Sequence, residues 1–162
     1  MTSGTPTHSV THASFTLERT YDASPARVFR AFADPAAKAL WFQGPPEWGP
    51  DVGEMDFRVG GRETSRGGPP GGPTHVFDCL YQDIVPDARI VYGYTMDLDD
   101  TRISASLAVI EIAPAGGGRT RLTLTEHGAY LDGHDTVAQR EHGTSALLDA
   151  LGASLHREPA TA

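Results

Sequence analysis

The stretch of the chain that says most about its fold is FTLERTYDASPARVFRAFADPAAKALWF, residues 15–42. From Ser14 to Tyr21 apolar and polar residues alternate, which is typical of an antiparallel strand buried on one face. Arg19 is a charged residue on the otherwise apolar face of this segment. The pattern predicts a first strand whose apolar face is interrupted by one cation.

Two helix starts follow the strand. At Ser24-Pro25 the serine hydroxyl can cap free N–H groups and the proline suits a first helical turn; Asp34-Pro35 repeats the arrangement ten residues later. We therefore expect one helix that ends just before Asp34 and a second that runs from Pro35 to about Trp41. Trp41 and Phe42 then end a bent helix pair. Both rings could be ordinary core that anchors the helices, or Trp41 could face a space that the rest of the chain encloses while Phe42 anchors the helices.

The middle of the chain is rich in Val, Ile, Tyr, Phe and Thr, in segments bounded by Gly, Pro and Asp. Short connections such as PDAR and DLDDT suit hairpins, so we expect an antiparallel meander with six or seven strands in all. SRGGPPGGP, residues 65–73, should form a loop because of its glycine and proline content. The expected strands are about 52–59, 74–85, 89–97, 102–112 and 119–127.

The end of the chain changes to a helical pattern, from about Asp135 to Leu155. Apolar residues recur there at spacings of three, four and seven, which indicates an amphipathic helix. Such a helix must bury its apolar stripe, and the sheet is the surface large enough to cover it. The stripe includes Val137, Thr144, Leu147, Leu148, Leu151 and Leu155.

Composition limits the possible functions. The chain has 162 residues and a net charge of -8, which argues against a nucleic-acid or anionic-membrane partner because both need a basic face. No apolar run approaches the roughly 20 residues that span a bilayer. A single cysteine, Cys79, and no apolar signal segment favour the cytoplasm. We expect a leader over residues 1–12 and one domain over residues 13–157.

The order of strand, two short helices, meander and long C-terminal helix resembles the helix-grip fold of the SRPBCC (START-like) superfamily. Residues 15–42 are similar to the opening of its branch related to the activator of heat-shock-protein-90 ATPase. MDFRVGGR, YQDIVPDARIVY, TRLTLTEHG and HGTSALLDALGASL are similar to later segments of that branch, in its order. The resemblance implies an α+β domain whose curved sheet wraps the last helix around a cavity. It further implies small apolar ligands or, in some members, a chaperone partner.

The chain departs from this family pattern at two places. Thr144 stands where the family suggests tryptophan in the last helix, and so small a residue should leave space beside the helix. The loop at 65–73 is longer than the family pattern suggests for this hairpin. One mouth of the cavity could therefore differ in shape from the family pattern.

Strand parity and the implied cavity together give a set of candidate ligand contacts. Tyr94 is a favoured member because a buried phenol can offer its hydroxyl to a ligand. The full set is Trp41, Met55, Phe57, Phe77, Tyr81, Tyr92, Tyr94, Leu122, Leu124, Glu126, Thr144 and Leu148.

Glu126 and Arg19 are charged residues on apolar strand faces. The first and last strands are neighbours in the fold that the resemblance implies, so these two charges could face the interior together. They could form a structural ion pair, or their charged ends could extend to solvent at the ends of the strands. Alternatively, Glu126 could anchor a ligand or act as a general base if burial raises its pKa.

No motif for metal binding or nucleophilic catalysis is present in the sequence. His127, His134 and His142 lack ligand spacing, Cys79 has no sequence-linked base, and GxSxG is absent. We expect no cofactor and no metal, and whether any reaction is catalysed stays open, with binding favoured.

The sequence therefore predicts a domain that binds a small, mainly apolar molecule, lipid-like or aromatic, as a monomer or homodimer. One alternative is an enzyme of the polyketide cyclase or aromatase kind. The other is a co-chaperone, which is disfavoured because the sequence holds no added N-terminal module.

Overall fold

The computed structural model describes residues 7–157. Seven strands form one antiparallel sheet in the order β1-β7-β6-β5-β4-β3-β2, and three helices complete the fold. The strands are β1 (Val10–Tyr21), β2 (Val52–Met55), β3 (Arg62–Gly67), β4 (His75–Val85), β5 (Arg89–Leu98), β6 (Thr101–Pro114) and β7 (Thr120–Leu131). The helices are α1 (Pro25–Ala33), α2 (Pro35–Lys38) and α3 (Val137–Arg157), with a 3-10 turn at Pro46–Trp48. This confirms the α+β helix-grip fold.

The two helix starts form as the sequence predicts. The Ser24 side chain accepts a hydrogen bond from the Arg27 amide at 3.3 Å, and the Asp34 side chain accepts one from the Ala36 amide at 3.0 Å. Each cap satisfies an N–H group that the first helical turn leaves free. α2 ends at Lys38, three residues before the expected end, and the chain then turns toward Gly44.

Strand β3 is missing from the sequence prediction. The sequence predicts no strand over its first residues, and its last three, Ser65–Gly67, fall in the segment expected to be a loop. RETSRG carries no large apolar residue, so hydrophobic alternation could not reveal the strand. The connection between β3 and β4 is correspondingly shorter than 65–73.

The first strand begins within the segment expected to be a leader, residues 1–12. Val10, Thr11 and His12 belong to β1, where they pair with Leu131, Tyr130 and Ala129 of β7. Residues 1–6 lie outside the described residues.

Helix α3 lies across the sheet and buries its apolar stripe. Leu148, Leu151 and Leu155 are all nearly inaccessible to solvent, and burial of each stabilises the fold by roughly 1.5–3 kcal/mol. The Tyr21 hydroxyl donates to the Leu148 carbonyl at 2.7 Å, which fixes the helix against β1. Register shifts at Tyr81/Asp83 and at Met96/Asp97 interrupt two ladders, and such irregularities bend a sheet.

Candidate functional site

A cavity of about 640 Å³ lies between the sheet, α3 and the segment that follows α2. This volume is within the range that small-molecule sites occupy, about 300–1,000 Å³. Exposed residues such as Gln43, Gln139 and Gly143 are part of its wall, so the cavity reaches the surface between the α2–β2 segment and the start of α3.

Aromatic rings form much of the cavity wall. β4 and β5 contribute Phe77, Tyr92 and Tyr94, because alternate residues of a strand share one face. The Phe77 and Tyr94 ring centroids are 5.1 Å apart, and those of Tyr92 and Tyr94 are 5.9 Å apart. Phe42 meets Phe77 edge-on at 5.1 Å, which joins the helical side of the wall to the sheet.

Trp41 is both a core residue and part of the cavity wall. Its side chain is only 4% exposed, and its indole N–H donates to the Ala31 carbonyl at 3.0 Å. Its ring packs edge-on against Phe32 at 5.0 Å and Phe42 at 5.6 Å. The two rings that end the bent helix segment therefore anchor that segment and also line the cavity.

A buried polar network forms one part of the wall. The Tyr94 hydroxyl lies 3.0 Å from both carboxylate oxygens of Glu126, to which it donates, and it accepts a hydrogen bond from Nη1 of Arg140 at 2.7 Å. Arg140 Nη1 and Glu126 Oε2 are 3.8 Å apart, too far for a direct hydrogen bond. The phenol thus connects the carboxylate to the guanidinium.

Arg140 is held by residues outside the strand that carries Glu126. Its Nη2 atom donates to Ser104 at 2.7 Å and to Asp135 at 2.8 Å. Burial raises the pKa of Glu126 because the charged form loses hydration; the nearby Arg140 charge and the Tyr94 hydrogen bond oppose that rise. Burial also raises the pKa of Tyr94, so the phenol keeps its proton at neutral pH.

Trp48 and His75 border the cavity on another side. Their rings stack with centroids 4.9 Å apart and an interplanar angle of 27°. Burial lowers the pKa of His75, so the imidazole is uncharged at neutral pH. Asp51 nearby accepts a hydrogen bond from Ser65 at 3.3 Å, and its partial burial raises the pKa of its carboxyl group.

Lys38 is a buried cation with a buried partner. Its ammonium donates to Glu63 at 2.6 Å and lies 4.5 Å from the centroid of Phe42. The Tyr81 hydroxyl donates to the same Glu63 oxygen. Lys38 borders the cavity, but its charge is neutralised by this pair.

Comparison with known proteins places this architecture in a family. The model of a family described as "Activator of Hsp90 ATPase homolog 1-like protein" (AHSA1) matches residues 22–156. The chain belongs to the AHSA1 family. The resemblance to that branch of the SRPBCC superfamily, expected from the sequence, is confirmed.

Solved structures agree with the AHSA1 assignment. An uncharacterized protein from Rhizobium leguminosarum is 42% identical, with a TM-score of 0.88, over 93% of this chain and 99% of that one. Protein Mll3558 from Rhizobium loti is 49% identical, with a TM-score of 0.82, over 90% and 99% of the two chains. Protein CV1439 from Chromobacterium violaceum is 30% identical, with a TM-score of 0.73, over 88% and 96%.

One curated protein also shares a segment with this AHSA1-family chain. The DNA mismatch repair protein MutL of Allorhizobium ampelinum is 43% identical over 56 residues, which is 34% of this chain and 9% of that protein. The chain therefore spans under a tenth of that protein's length, and no activity carries over from it.

The structure brings eight of the twelve sequence-predicted contacts together on the cavity wall. They are Trp41, Phe77, Tyr92, Tyr94, Leu124, Glu126, Thr144 and Leu148. The other four lie elsewhere: Leu122 in the core, Tyr81 on Glu63, Phe57 against Phe29 and Tyr81, and Met55 at a separate, smaller depression. Whether the eight contact a ligand stays a prediction.

The possible ion pair between Arg19 and Glu126 does not form. β1 and β7 are neighbours as expected, but the register places Phe15 opposite Glu126 and Leu122 opposite Arg19. Arg19 reaches α3 instead, where its Nε atom lies 2.9 Å from an oxygen of Asp149.

Arg140 is the most important site residue that sequence reasoning overlooked. It is one helical turn before Thr144, on the same side of α3, so its spacing to the apolar stripe could have indicated burial. Other overlooked wall residues are Lys38, Trp48, Asp51, His75 and Asp135.

Two further observations concern residues 7–157. No group of three or more His, Cys, Asp or Glu side chains in this range is arranged to hold a metal ion. No helix within the range is long and apolar enough to cross a membrane.

Proposed function

We propose that this AHSA1-family protein binds a small, mainly apolar molecule in the cavity beside α3. The observation that carries the proposal is the wall itself, on which aromatic rings surround a buried polar network of Tyr94, Glu126 and Arg140. Small-molecule sites combine such a predominantly apolar surface with a few placed polar groups. The rings supply apolar contact area, and the network gives one end of the ligand a polar partner.

Thr144 supports the same proposal from the helix side. It borders the cavity where the family pattern suggests tryptophan, so the space that an indole would occupy is available to a ligand. The single cysteine, Cys79, is buried and free, which suits the reducing cytoplasm that we propose as the location.

Binding is tested with the protein purified gently from its host and analysed by native mass spectrometry for a co-purifying compound. In parallel, adamantylmethanol, a compact apolar alcohol, is titrated by calorimetry into the wild type and two variants. Thr144→Trp places an indole in the cavity beside α3 and should weaken binding. His142→Trp places the same ring on an exposed position of α3 outside the wall and should leave binding unchanged. No co-purifying compound together with no saturable binding of the probe would refute the proposal.

An enzyme of the polyketide cyclase kind is a second candidate, which Glu126 favours. A carboxyl group that is 3% exposed, with a raised pKa and a place on the cavity wall, has the properties of a general acid or base. Under this candidate Glu126→Gln abolishes turnover of a bound polyketide but changes adamantylmethanol affinity little, because the amide keeps one acceptor oxygen. Retained turnover would remove Glu126 from any such mechanism.

The family description also motivates a chaperone partner, which would be met through the surface and not the cavity. A pull-down with the heat-shock-protein-90 ATPase, using wild type and Thr144→Trp in parallel, tests this role. Equal capture of both would indicate a surface function independent of the cavity.

A further inference from the structure

Cationic and anionic side chains are not balanced on the cavity wall. Among the described residues, the wall carries the carboxylates of Asp51, Glu126 and Asp135 but only two cations, Lys38 and Arg140. His75 adds no positive charge at neutral pH because burial lowers its pKa.

Both cations already have an anionic partner at hydrogen-bond distance. Lys38 pairs with Glu63 at 2.6 Å, and Arg140 pairs with Asp135 at 2.8 Å. Both terminal nitrogens of Arg140 donate to protein oxygens, those of Tyr94, Ser104 and Asp135. A carboxylate ligand would have to compete with these bonds to obtain a cation.

Glu126, by contrast, has acceptor capacity to spare. Its two oxygens offer about four lone-pair sites, and the hydrogen-bond donor that reaches them within the described part of the chain is the single Tyr94 proton, shared between both. The side chain is 3% exposed and borders the cavity, so a donor for the remaining lone pairs has to come from within the cavity and not from bulk water. A group with several N–H donors would satisfy it.

Aromatic rings line the cavity close to Glu126, since one of them, Tyr94, is hydrogen-bonded to its carboxylate. Three rings lie close together there. The ring centroids are 5.1 Å apart for Phe77 and Tyr94, 5.9 Å for Tyr92 and Tyr94, and 6.4 Å for Phe77 and Tyr92. Ring faces attract cations within about 6 Å of a centroid and do not attract anions. The rings and the carboxylate therefore select the same sign of charge.

We propose that the ligand of this cavity is an apolar amine, whose protonated nitrogen donates to Glu126 and packs against the Tyr92, Tyr94 and Phe77 rings. This inference rests on the proposed binding function and adds the chemical class of the ligand. The apolar body of the amine would occupy the space beside Thr144 and Leu148, and the cavity would disfavour fatty acids and other carboxylates.

Three probes with the same apolar body test the inference: adamantylmethylamine, adamantylmethanol and adamantane carboxylate, each titrated by calorimetry at neutral pH. We expect the amine to bind at least about tenfold more tightly than the carboxylate, with the alcohol between them. A carboxylate or alcohol that binds as tightly as the amine would overturn the inference while leaving the binding function intact. Binding of none of the three would refute the binding function itself.

The variant Glu126→Gln tests whether the Glu126 carboxylate is the group that binds the amine. The variant keeps the shape and one acceptor oxygen but loses the charge, so amine affinity should fall about tenfold or more while alcohol affinity changes little. Glu141→Gln removes a carboxylate from an exposed position on the same helix as Arg140 and should change neither affinity. An amine preference unchanged in Glu126→Gln would overturn the assignment.

Discussion

At the scale of single residues, Glu126 carries a stability cost in addition to the binding role that we propose for it. Its carboxylate is nearly inaccessible to solvent, and the closest guanidinium nitrogen is 3.8 Å away, so the charge is only partly compensated. Desolvated charges without full hydrogen bonding destabilise a fold. The proposed ligand would supply the missing donors, and binding would then also stabilise the protein.

This cost should depend on pH. Because burial raises the pKa of Glu126 above its ordinary value near 4.5, the folded state holds the proton more tightly than the unfolded state. The free energy of unfolding therefore falls as pH rises from the ordinary pKa toward the folded-state pKa. The loss is about 1.4 kcal/mol for each pH unit that separates the two pKa values. Glu126→Gln lacks this loss, so its melting temperature relative to wild type should increase between about pH 4 and about pH 7. Glu141→Gln is the matched control, and a flat or falling difference for Glu126→Gln would contradict the assignment.

Trp41 offers a spectroscopic test of the cavity wall. In a Trp48→Phe background, Trp41 is the remaining tryptophan of the chain. Because its ring lines the cavity, saturation with adamantylmethanol, which does not fluoresce, should shift or quench its emission. If calorimetry shows that the alcohol binds and the emission stays unchanged, Trp41 is part of the hydrophobic core and does not contact the ligand.

At the scale of elements, helix α3 is expected to stabilise the sheet through its leucines. Leu151 is completely buried, so Leu151→Ala should lower the free energy of unfolding by about 2–5 kcal/mol, measured by urea denaturation. The control Leu107→Ala makes the same chemical change at an exposed site on β6 and should cost about 0.5 kcal/mol or less. Equal losses in the two variants would contradict the placement of α3.

Elements with local signals could be predicted from the sequence, and others could not. The three helices carry caps or apolar spacing, and strands β4 to β7 carry clear alternation. The sequence therefore predicts their boundaries to within a few residues of those in the structure. β3 carries neither signal: its inward residue Glu63 is polar and is buried only because Lys38 and Tyr81 meet it from other elements. Its position depends on contacts that no local pattern contains.

At the scale of the whole molecule, the site depends on residues far apart in the chain. Parity could place Glu126 on the inner face, but its partner could not be inferred, because Arg140 and Tyr94 reach it from α3 and β5. The neighbouring first and last strands suggested Arg19 instead, and only the actual register and helix position show that Arg19 pairs with Asp149. The family resemblance predicted the cavity, and the structure shows which charged residues line it.

The melting temperature of Thr144→Trp tests the central claim, a ligand-sized cavity beside α3, most directly. If the cavity is open at Thr144, the indole enters it and gains about 1.5–3 kcal/mol of apolar burial. That gain should raise the melting temperature by several degrees at roughly 2–4 °C per kcal/mol, whereas the exposed control His142→Trp should melt as the wild type does. If the neighbours already fill the space, the indole overpacks the core at a cost of about 1–3 kcal/mol. A clear fall in the melting temperature of Thr144→Trp, with His142→Trp unchanged, would contradict the cavity and the binding function built on it.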